Sequence, residues 1–519
     1  MPLTDLCLFR RAALFVPLLL AILATSAPAV DFDTAMDGFE DQIDDMMAAW
    51  QTPGLAVAVV KDGKLVYAKG FGFRDQEKAL EVSPETLFPI GSCTKAFTAT
   101  ALALLASKGK LSLDAPVESY IPWFRMADGY ASSNVTARDM LLHRTGLPRY
   151  DSLLGVRPDL SRKGLVEVLA HLAPNKPFRY GFEYDNIMYA AAGYLLESVS
   201  KKPWDDYVRE ELLTPIGITP QFTLFSTKGM DDNPMAARPY VVKKNRPERV
   251  PYADLDAIGP AGSIVSNALE MAKWVLFNLN NGKAGDVQVV PGAAMADVHQ
   301  PGIVMTTGKR DPSMPIVAYA LGWGVTDYRG RLLLMHDGET DGFHSHISFM
   351  PDDGIGVVVL GNRSDGSALP KCAALLIYDL VFGLDPLPWS DKELAGRAAA
   401  DKEREKRLDA LSNAIPSGTS PSHPLADYAG KYENPAYGVL TVEAEGGGLS
   451  VELGGEKLSL AHSMYDIFIP EGGDVPETTL RFDVNAAGAV TEVLIPLEPG
   501  MPEMAFTRIA ETKEKKKKK

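Results

Sequence analysis

A short stretch, Pro89-Ile90-Gly91-Ser92-Cys93-Thr94-Lys95-Ala96-Phe97, points to both the fold and the chemistry of this chain. From Ser92 onward the pattern is helical, with Ala and Leu on the buried face. Ser92 and Lys95 stand three residues apart and therefore share one face of that helix. The free N–H groups at a helix start favour developing negative charge. Since burial lowers the pKa of a lysine, we predict a Ser92 nucleophile activated by Lys95.

The Ser-x-x-Lys spacing is weak evidence by itself. Residues 107–110 and 198–201 have the same spacing, and we expect both to be ordinary exposed positions. Gly91 before the serine and the apolar helix after it set the first match apart. Two later motifs strengthen it.

The first of these motifs is Tyr184-Asp185-Asn186, which lies where a loop passes into a helix. A phenol near an ammonium group or a cationic helix end ionises more easily, so Tyr184 is a candidate general base. The amide of Asn186 can bridge Lys95 and the carbonyl group of a substrate. A lone Tyr-x-Asn is common in surface turns, and its position after the Ser-Lys pair makes it a candidate catalytic element.

The second motif is His336-Asp337-Gly338, at the end of a strand pattern. Gly338 would let a substrate backbone approach closely. The backbone N–H groups of Ser92 and Glu339 are the candidate oxyanion hole, and such donors are typically worth about 3 kcal/mol each. His336 is expected to hold the Tyr184 hydroxyl or to touch substrate; the alternative is a structural histidine at a strand end.

Three other features favour structural readings. His344-Ser345-His346 places two imidazoles on one strand face, but no third ligand is evident, so we expect no metal site. Residues 141–148 resemble a structural helix-to-loop junction rather than a catalytic one. Residues 259–263, Gly-Pro-Ala-Gly-Ser, are typical of a tight loop lining a cleft, although turn geometry explains the glycines equally well.

Composition excludes several function classes. The chain has 519 residues, of which 46% are hydrophobic and 23% charged, so two or three core-forming domains are expected. A net charge of −15 argues against a general nucleic-acid or anionic-membrane binder. The lysine-rich residues 511–519 are expected to be a solvated tail.

The N-terminus has the pattern of a signal peptide. Arg10-Arg11 precedes a short apolar run, and Ala27-Pro28-Ala29 supplies a small-x-small cleavage pattern. The apolar run is too short for a permanent membrane anchor. We therefore expect residues 1–29 to be removed and the mature protein to be secreted or periplasmic.

The rest of the chain predicts an α/β (α+β) fold in which both ends build one antiparallel sheet. Apolar runs at 54–60 and 64–70 form a hairpin signal, and strand patterns return after residue 320, beyond a long helical region. The part that carries the three motifs is expected over 30–388, followed by a charged helix and linker at 389–424. Residues 425–510 alternate in short segments, which predicts a small all-β barrel or sandwich.

In this order the three motifs resemble those of the penicillin-recognising serine hydrolases. The nearest branch is the class C β-lactamase-like group, which includes D-aminopeptidases, D,D-carboxypeptidases and carboxylesterases. The resemblance covers about residues 35–385 and extends to 141–148 and 259–263. Residues 425–510 are similar, more weakly, to the lipocalin-like domain that some members carry, through Tyr428-Ala429-Gly430-Lys431-Tyr432.

The resemblance implies a β-lactamase/transpeptidase-like fold with a helical subdomain, and an acyl-enzyme on Ser92 that water hydrolyses without a cofactor. Antibiotic-hydrolysing members have Lys-Thr-Gly where this chain has His336-Asp337-Gly338. A neutral His beside Asp337 and Glu339 attracts a carboxylate far less than lysine does. We therefore expect a small peptide, amide or ester substrate with a free amine or no charge.

Alternatives remain open at this point. The chain could be a true β-lactamase or D,D-carboxypeptidase, or an inactive binding protein with a hydrolase fold. The barrel is expected to cap the cleft or to mediate self-association into a homo-oligomer; a ligand-carrying barrel is the lesser alternative because small barrels are often filled by their own side chains.

Overall fold

The computed structural model describes residues 31–305, 311–315, 317–416, 418–471 and 478–510. The expected signal peptide at 1–29 and the lysine-rich tail at 511–519 lie outside these ranges. Within them, no helix is both long enough and apolar enough to cross a bilayer. Cys93 and Cys372 are buried free thiols.

A nine-stranded antiparallel sheet forms the frame of the larger part of the molecule. Leu55 in the first strand pairs with Gly361 in a late one, so the two ends of this part share the sheet. The predicted fold class is therefore confirmed. In spatial order the strands are Ile303–Val304, Val317–Tyr319, Gly324–Tyr328, Arg331–Thr340, Phe343–Met350, Ile355–Gly361, Gly54–Lys61, Lys64–Asp75 and Leu80–Glu81.

Helices cover both faces of the sheet. Along Gly54–Lys61, Leu55, Val57 and Val59 pack with the helices Phe39–Trp50 and Leu369–Val381. The alternate residues Ala56, Ala58 and Val60 pack with the opposite core, which contains Thr94–Ser107 and Ala268–Leu279. Because successive side chains of a strand point to opposite faces, a strand covered on both faces is apolar throughout.

The remaining helices and three small strand pairs form the helical subdomain and its connections. The helices are Val117–Ser119, Gly129–Asn134, Ala137–Leu141, Ser152–Val156, Arg162–Val168, Leu169–His171, Asn186–Ser200, Trp204–Val208, Arg209–Leu213, Thr214–Ile216, Pro220–Phe222, Gly259–Gly262 and Gly292–His299. Three small strand pairs accompany them: Phe88–Pro89 with Val265–Ser266, Tyr240–Lys243 with Arg246–Arg249, and Lys283–Ala284 with Val287–Gln288. Phe32–Ala35 and Pro351–Asp353 complete the helical turns of this part.

The central helix, Thr94–Ser107, runs through the middle of the larger core. A 3₁₀ turn, Gly91–Cys93, leads into it, and every residue from Thr94 to Leu105 is buried. Phe97 stacks on Trp274 with ring centroids 3.9 Å apart. A helix that is buried on every side lies inside a core and not at the surface. The packing therefore fixes the position of Ser92 at its N-terminal end.

The C-terminal part is a closed eight-stranded barrel, which decides between the expected barrel and sandwich. Its interior is packed with its own buried side chains, including Tyr432, Leu440, Phe482 and Phe506. The helix Trp389–Ala414 and the short turn Leu425–Tyr428 precede it. The strands are Gly430–Asn434, Gly438–Glu445, Gly448–Leu453, Glu456–Met464, Ile467–Pro470, Leu480–Val484, Val490–Ile495 and Met504–Arg508.

Candidate active site

The predicted serine, lysine and tyrosine meet at the start of the central helix. Lys95 Nζ lies 3.0 Å from Ser92 Oγ. The Tyr184 hydroxyl donates to the same Oγ at 2.8 Å. The Ser92 hydroxyl thus has one partner on each side.

Lys95 is fully buried and held by two acceptors. Its Nζ donates to Asn186 Oδ1 at 2.7 Å and to the carbonyl oxygen of Ala261 at 2.9 Å. Burial, and next the charge of Arg149, lower the pKa of Lys95 to about 7. A substantial fraction of Lys95 is therefore an uncharged amine near neutral pH.

The lysine-holding carbonyl lies in the glycine-rich segment 259–263. It forms one helical turn, Gly259–Gly262, packed against the central helix. The Pro260 carbonyl accepts from the Thr98 hydroxyl at 2.7 Å, beside the contact that Ala261 makes with Lys95. The expected cleft-lining loop is thus a backbone clamp on two side chains of the central helix.

The helix Asn186–Ser200 presents Tyr184 and Asn186 together because Asp185 caps it. The Asp185 carboxyl group accepts from the backbone N–H groups of Ile187 and Met188. Such a cap fixes the chain entry into the helix. Tyr184 is consequently held just outside the helix and Asn186 at its first position.

The ring of Tyr184 is surrounded by the Lys95 amine, the Arg149 guanidinium and the imidazole of His143. Lys95 Nζ is 4.8 Å and Arg149 Cζ 4.9 Å from its centroid. His143 stacks on it with centroids 4.3 Å apart. Burial nevertheless raises the pKa of Tyr184 well above its ordinary value, outweighing the hydrogen bond with Ser92 and the charge of Arg149. The structure thus favours a protonated phenol, in contrast to the expected easily ionised one.

The segment 141–148 holds Tyr184 and Asp185 in place through His143. His143 has a positive φ of 53° and accepts the Asp185 backbone N–H through Nδ1 at 3.0 Å. Its helix, Ala137–Leu141, begins with a capping box between Thr136 and Asp139. The junction is structural in construction, as expected, and it also supplies the aromatic surface against Tyr184.

The strand Arg331–Thr340, called the rim strand below, forms the opposite wall. His336 Nε2 lies 2.8 Å from the hydroxyl of Tyr319, and its Nδ1 lies 2.6 Å from the Asp337 carbonyl oxygen. The partner of His336 is thus Tyr319 rather than Tyr184, which was one of the two expectations. Burial, then the charge of Lys95, lower the pKa of His336 to about 4.

Gly338 lets the rim strand approach the nucleophile turn. A Cβ at this position would lie 1.9 Å from the carbonyl oxygen of Ile90. Gly91 has a φ of 50°, and a Cβ there would lie 2.7 Å from the backbone nitrogen of Glu339. The Glu339 backbone therefore lies directly beside the turn that carries Ser92. Gly338 thus allows close contact between the rim strand and the turn before Ser92, whereas the sequence suggested that it allows close approach of the substrate.

Asp337, which follows His336 in the rim strand, faces two histidines of the neighbouring strand Phe343–Met350. Its carboxylate is bonded to His346 Nδ1 at 2.6 Å and is 4.0 Å from His344 Nε2. Burial raises the pKa of Asp337, but its interactions, above all with His346, lower it by more. The pKa of this carboxyl group is therefore well below its ordinary value. Within the described ranges, no group of three or more His, Cys, Asp or Glu side chains could hold a metal ion.

The two walls enclose an open cleft of ≈ 430 Å³. This volume suits a small molecule or the end of a short peptide. The lining residues are Ser92, Arg149, Phe182, Tyr184, Met305, Val317, Tyr319, Gly324, Met335, His336, Asp337, Glu339 and His344.

Sequence reasoning missed the contributions of Arg149, Asp151 and Tyr319. Arg149 and Asp151 follow the 141–148 junction, and the Asp151 carboxylate accepts from Asn186 Nδ2 at 2.9 Å. The sequence signal that could have pointed to Arg149 and Asp151 is their position directly after residues 141–148. Tyr319 carries no motif, because it reaches His336 through the sheet pairing.

A family model described as Beta-lactamase matches residues 39–379, and a second, described as Domain of unknown function (DUF3471), matches 415–508. The chain belongs to the β-lactamase family, so the expected kinship with penicillin-recognising hydrolases is confirmed. Members of this family are serine hydrolases, and this protein is a serine hydrolase of that fold with a C-terminal barrel.

Individual relatives agree with this assignment. The chain is 31% identical to an unguisins hydrolase of Aspergillus campestris, over 78% of this chain and 77% of that protein. An octameric penicillin-binding protein homologue from Pyrococcus abyssi matches 91% of this chain and all of its own, with a TM-score of 0.58 and 22% identity. A D-amino acid amidase from Ochrobactrum anthropi, solved with L-phenylalanine amide, matches 68% of this chain and 98% of its own, with a TM-score of 0.56 and 23% identity.

Proposed function

We propose that this protein forms an acyl-enzyme on Ser92 and hydrolyses amide, peptide or ester bonds of small substrates. The supporting observation is the set of partners around Lys95. Asn186 Oδ1 and the Ala261 carbonyl oxygen are both acceptors, and they occupy the two N–H bonds of a neutral amine. The remaining lone pair then faces Ser92 Oγ at 3.0 Å, as a general base requires.

The reaction begins when Lys95 accepts the Ser92 hydroxyl proton as Oγ bonds to the substrate carbonyl carbon. The oxyanion formed accepts hydrogen bonds from the backbone N–H groups of Ser92 and Glu339. Collapse of the tetrahedral intermediate breaks the bond to the leaving group, which takes a proton from Tyr184. Lys95 returns its proton to Tyr184 and is then neutral again. It takes a proton from the water that attacks the acyl-enzyme, and this proton passes to Ser92 Oγ as the bond from Oγ to the acyl carbon breaks and the acid is released.

Because Tyr184 is protonated, it can act as the general acid that gives a proton to the leaving group. A phenol with a raised pKa is a poor base, but it donates to Ser92 Oγ and can deliver a proton where the leaving group departs. Asn186 acts as the holder of Lys95, since both ends of its amide already have protein partners. His336 contributes a neutral ring to the substrate wall.

The rim strand favours a substrate with a free amine or no charge. Asp337 has a lowered pKa and a side chain that is 43% exposed, and Glu339 is exposed at the same wall. Negative charges at a cleft attract an amine and repel a carboxylate. An N-terminal amine of a peptide, an amino acid amide or a neutral ester fits this wall. The names of the related amidase and unguisins hydrolase are consistent with such substrates.

A β-lactamase or D,D-carboxypeptidase activity is the second candidate, and Arg149 is the observation that favours it. Its guanidinium lines the cleft and could attract a substrate carboxylate. However, Arg149 Nε donates to the Asp151 carboxylate at 2.6 Å, which offsets its charge. We therefore rank this activity below amide and ester hydrolysis.

The N-terminal sequence pattern further supports export, to the periplasm or outside the cell. The related octameric homologue makes self-association worth measuring by light scattering on the purified protein.

The test uses a fluorophosphonate probe and a labelled penicillin, with peptide mapping of the adduct. We expect a single fluorophosphonate adduct on Ser92 that Lys95→Ala abolishes. Matched p-nitroanilides of an amino acid, with a free or a succinylated amine, then test the charge preference, together with a neutral ester. Faster cleavage of the succinylated compound, or strong penicillin turnover, would favour the second candidate. A folded protein that reacts with neither probe would be a binding protein.

A further inference from the structure

The active site is tied to the C-terminal barrel through residues 149–152, called the anchor loop below. Arg149 covers the ring of Tyr184, and Asp151 accepts from Asn186, the residue that holds Lys95. Between them, Tyr150 has a left-handed φ of 49°. A non-glycine residue persists in that conformation when its surroundings hold it there.

Contacts with the barrel help to keep the anchor loop in this conformation. The Glu498 carboxylate is 5% exposed and accepts from the hydroxyl of Tyr437 at 2.8 Å and from that of Ser152. Ser152 Oγ also lies 3.2 Å from the Tyr437 hydroxyl. A buried carboxylate is costly without donors, so Glu498 and Ser152 stabilise each other across the two parts of the chain.

The surrounding surface is shaped for this contact. Gly454, at a φ of 65°, lies so close that a Cβ would be 2.4 Å from the carbonyl oxygen of Val156. Arg157 Nη1 donates to the carbonyl oxygen of Ala436 at 3.1 Å. The barrel thus docks on the helix Ser152–Val156, immediately after the anchor loop.

We propose that Glu498 of the barrel is a positioning residue for Lys95, acting through Ser152 and the anchor loop. The connection runs from Glu498 to Ser152, along the backbone to Asp151, and then through Asn186 to Lys95. This inference rests on the proposed role of Lys95 as the base. It gives the barrel a function in catalysis that differs from capping the cleft, self-association or carrying a ligand.

Loosening the anchor loop has a definite consequence for Lys95. Water that enters around the amine reduces its desolvation, and the departure of Arg149 removes a repelling charge. Both changes raise the pKa of Lys95, while the loss of Asp151 acts in the opposite direction and is the smaller effect. The charged or titratable groups around Lys95 are Cys93, His143, Arg149, Asp151, Tyr184, Asp185, Tyr189 and His336.

The experiment measures the titration midpoint of Lys95 directly, by NMR on the full-length protein labelled at lysine Cε. The Lys95 signal is assigned by its loss in Lys95→Met. We expect Glu498→Ala and Ser152→Ala each to raise the midpoint by about one pH unit. The double variant should rise no further than either single variant, because both break the same connection. The acid limb of Ser92 labelling should move by the same amount.

The matched control is Tyr432→Phe. This variant removes a buried barrel hydroxyl whose acceptor, the Tyr428 carbonyl oxygen, also belongs to the C-terminal part. Its Lys95 midpoint should equal that of the wild type. If Glu498→Ala unfolds the barrel, the Lys95 midpoint of Ser152→Ala tests the proposal, because this variant breaks the same hydrogen bond from the Ser152 side.

An unchanged Lys95 midpoint in Ser152→Ala overturns the proposal, as does an equal rise in Tyr432→Phe. These results are separate from the fate of the proposed function, because the midpoint is observed without turnover. Wild-type Ser92 that resists the fluorophosphonate refutes the acyl-enzyme, while the midpoints still report whether the barrel positions Lys95.

Discussion

The two walls of the cleft are built in opposite ways. The wall that carries Lys95 is closed to water. This side chain is fully buried, and its amine contacts Ser92 Oγ, Asn186 Oδ1 and the carbonyl oxygen of Ala261. On the rim strand, Asp337 is 43% exposed and Glu339 faces solvent. Burial adjusts pKa values, whereas exposed charge acts on whatever arrives in the cleft. We therefore propose that the first wall determines the reaction and that the second selects the substrate.

The largest expected effect comes from removing the base on the buried wall. Lys95→Met should slow Ser92 acylation by about 10⁴-fold, because no other group accepts the serine proton. Stopped-flow measurement of probe labelling gives this rate. The melting temperature should change little, since removing a buried amine offsets the loss of the donor to Asn186 Oδ1 and the Ala261 carbonyl oxygen.

Lys110→Met is the matched control for this change. Lys110 also follows a serine by three residues, but it is exposed. Its variant should acylate at the wild-type rate. A similar loss in both variants would show that the effect is one of lysine replacement in general and would remove the basis for assigning Lys95 as the base.

The next effect tests where the two walls touch. Gly338→Ala places a Cβ against the Ile90 carbonyl oxygen, so the rim strand must shift and carry the Glu339 N–H with it. Loss of one oxyanion donor should lower kcat by about 10²–10³-fold. Steady-state kinetics on an ester substrate measure the change.

Gly448→Ala provides the comparison, since this strand glycine in the barrel has no atom nearer than 3.9 Å to an added Cβ. We expect wild-type kinetics from it. Full activity in Gly338→Ala would mean that the Glu339 N–H does not serve the oxyanion.

The pH dependence distinguishes the walls without a mutation. Lys95 must be neutral to act, and its pKa is about 7, so acylation is fast above that pH and falls as Lys95 gains a proton. The rate should decline about tenfold per pH unit below the pKa. His336 on the rim strand has a pKa of about 4 and remains neutral through this range. An acid limb near pH 4 in the labelling rate would contradict the assignment to Lys95.

The smallest expected effect concerns the exposed wall. Glu339→Gln removes one negative charge but retains an oxygen that can accept from the Gly366 N–H, as Glu339 does at 3.2 Å. The preference for a free amine over a succinylated one should fall by about fivefold, the scale of one charge pair in water. The change should shrink at high salt.

Glu456→Gln, at an exposed barrel position, is the control for net charge and should leave the preference unchanged. An unaltered preference in Glu339→Gln would assign the charge selection to Asp337 or Arg149.

Much of the fold was available from local patterns in the sequence. The central helix follows from hydrophobic periodicity and the hairpin around 61–63 from turn chemistry, and the structure contains both. The barrel was predictable as a β domain, while its closure was not, since closure depends on pairing the first and last strands.

The candidate site divides in the same way. Ser92, Lys95, Tyr184 and Asn186 could be predicted as candidate site residues because local spacing on a helix or at a helix start brings their chemistry together. Tyr319 beside His336, and the protonated state of Tyr184, were not identifiable. Both depend on what packs around them, and burial has no local sequence signal.

The sequence by itself therefore determined the family and led to the proposal of Ser92 as nucleophile and Lys95 as its base, since the spacing of a motif can be read without the fold. The tertiary structure alone decided the acceptors around Lys95 and the contact of Glu498 with Ser152. The latter pair is 346 residues apart. Such contacts form because buried polar groups must find partners wherever the chain places them.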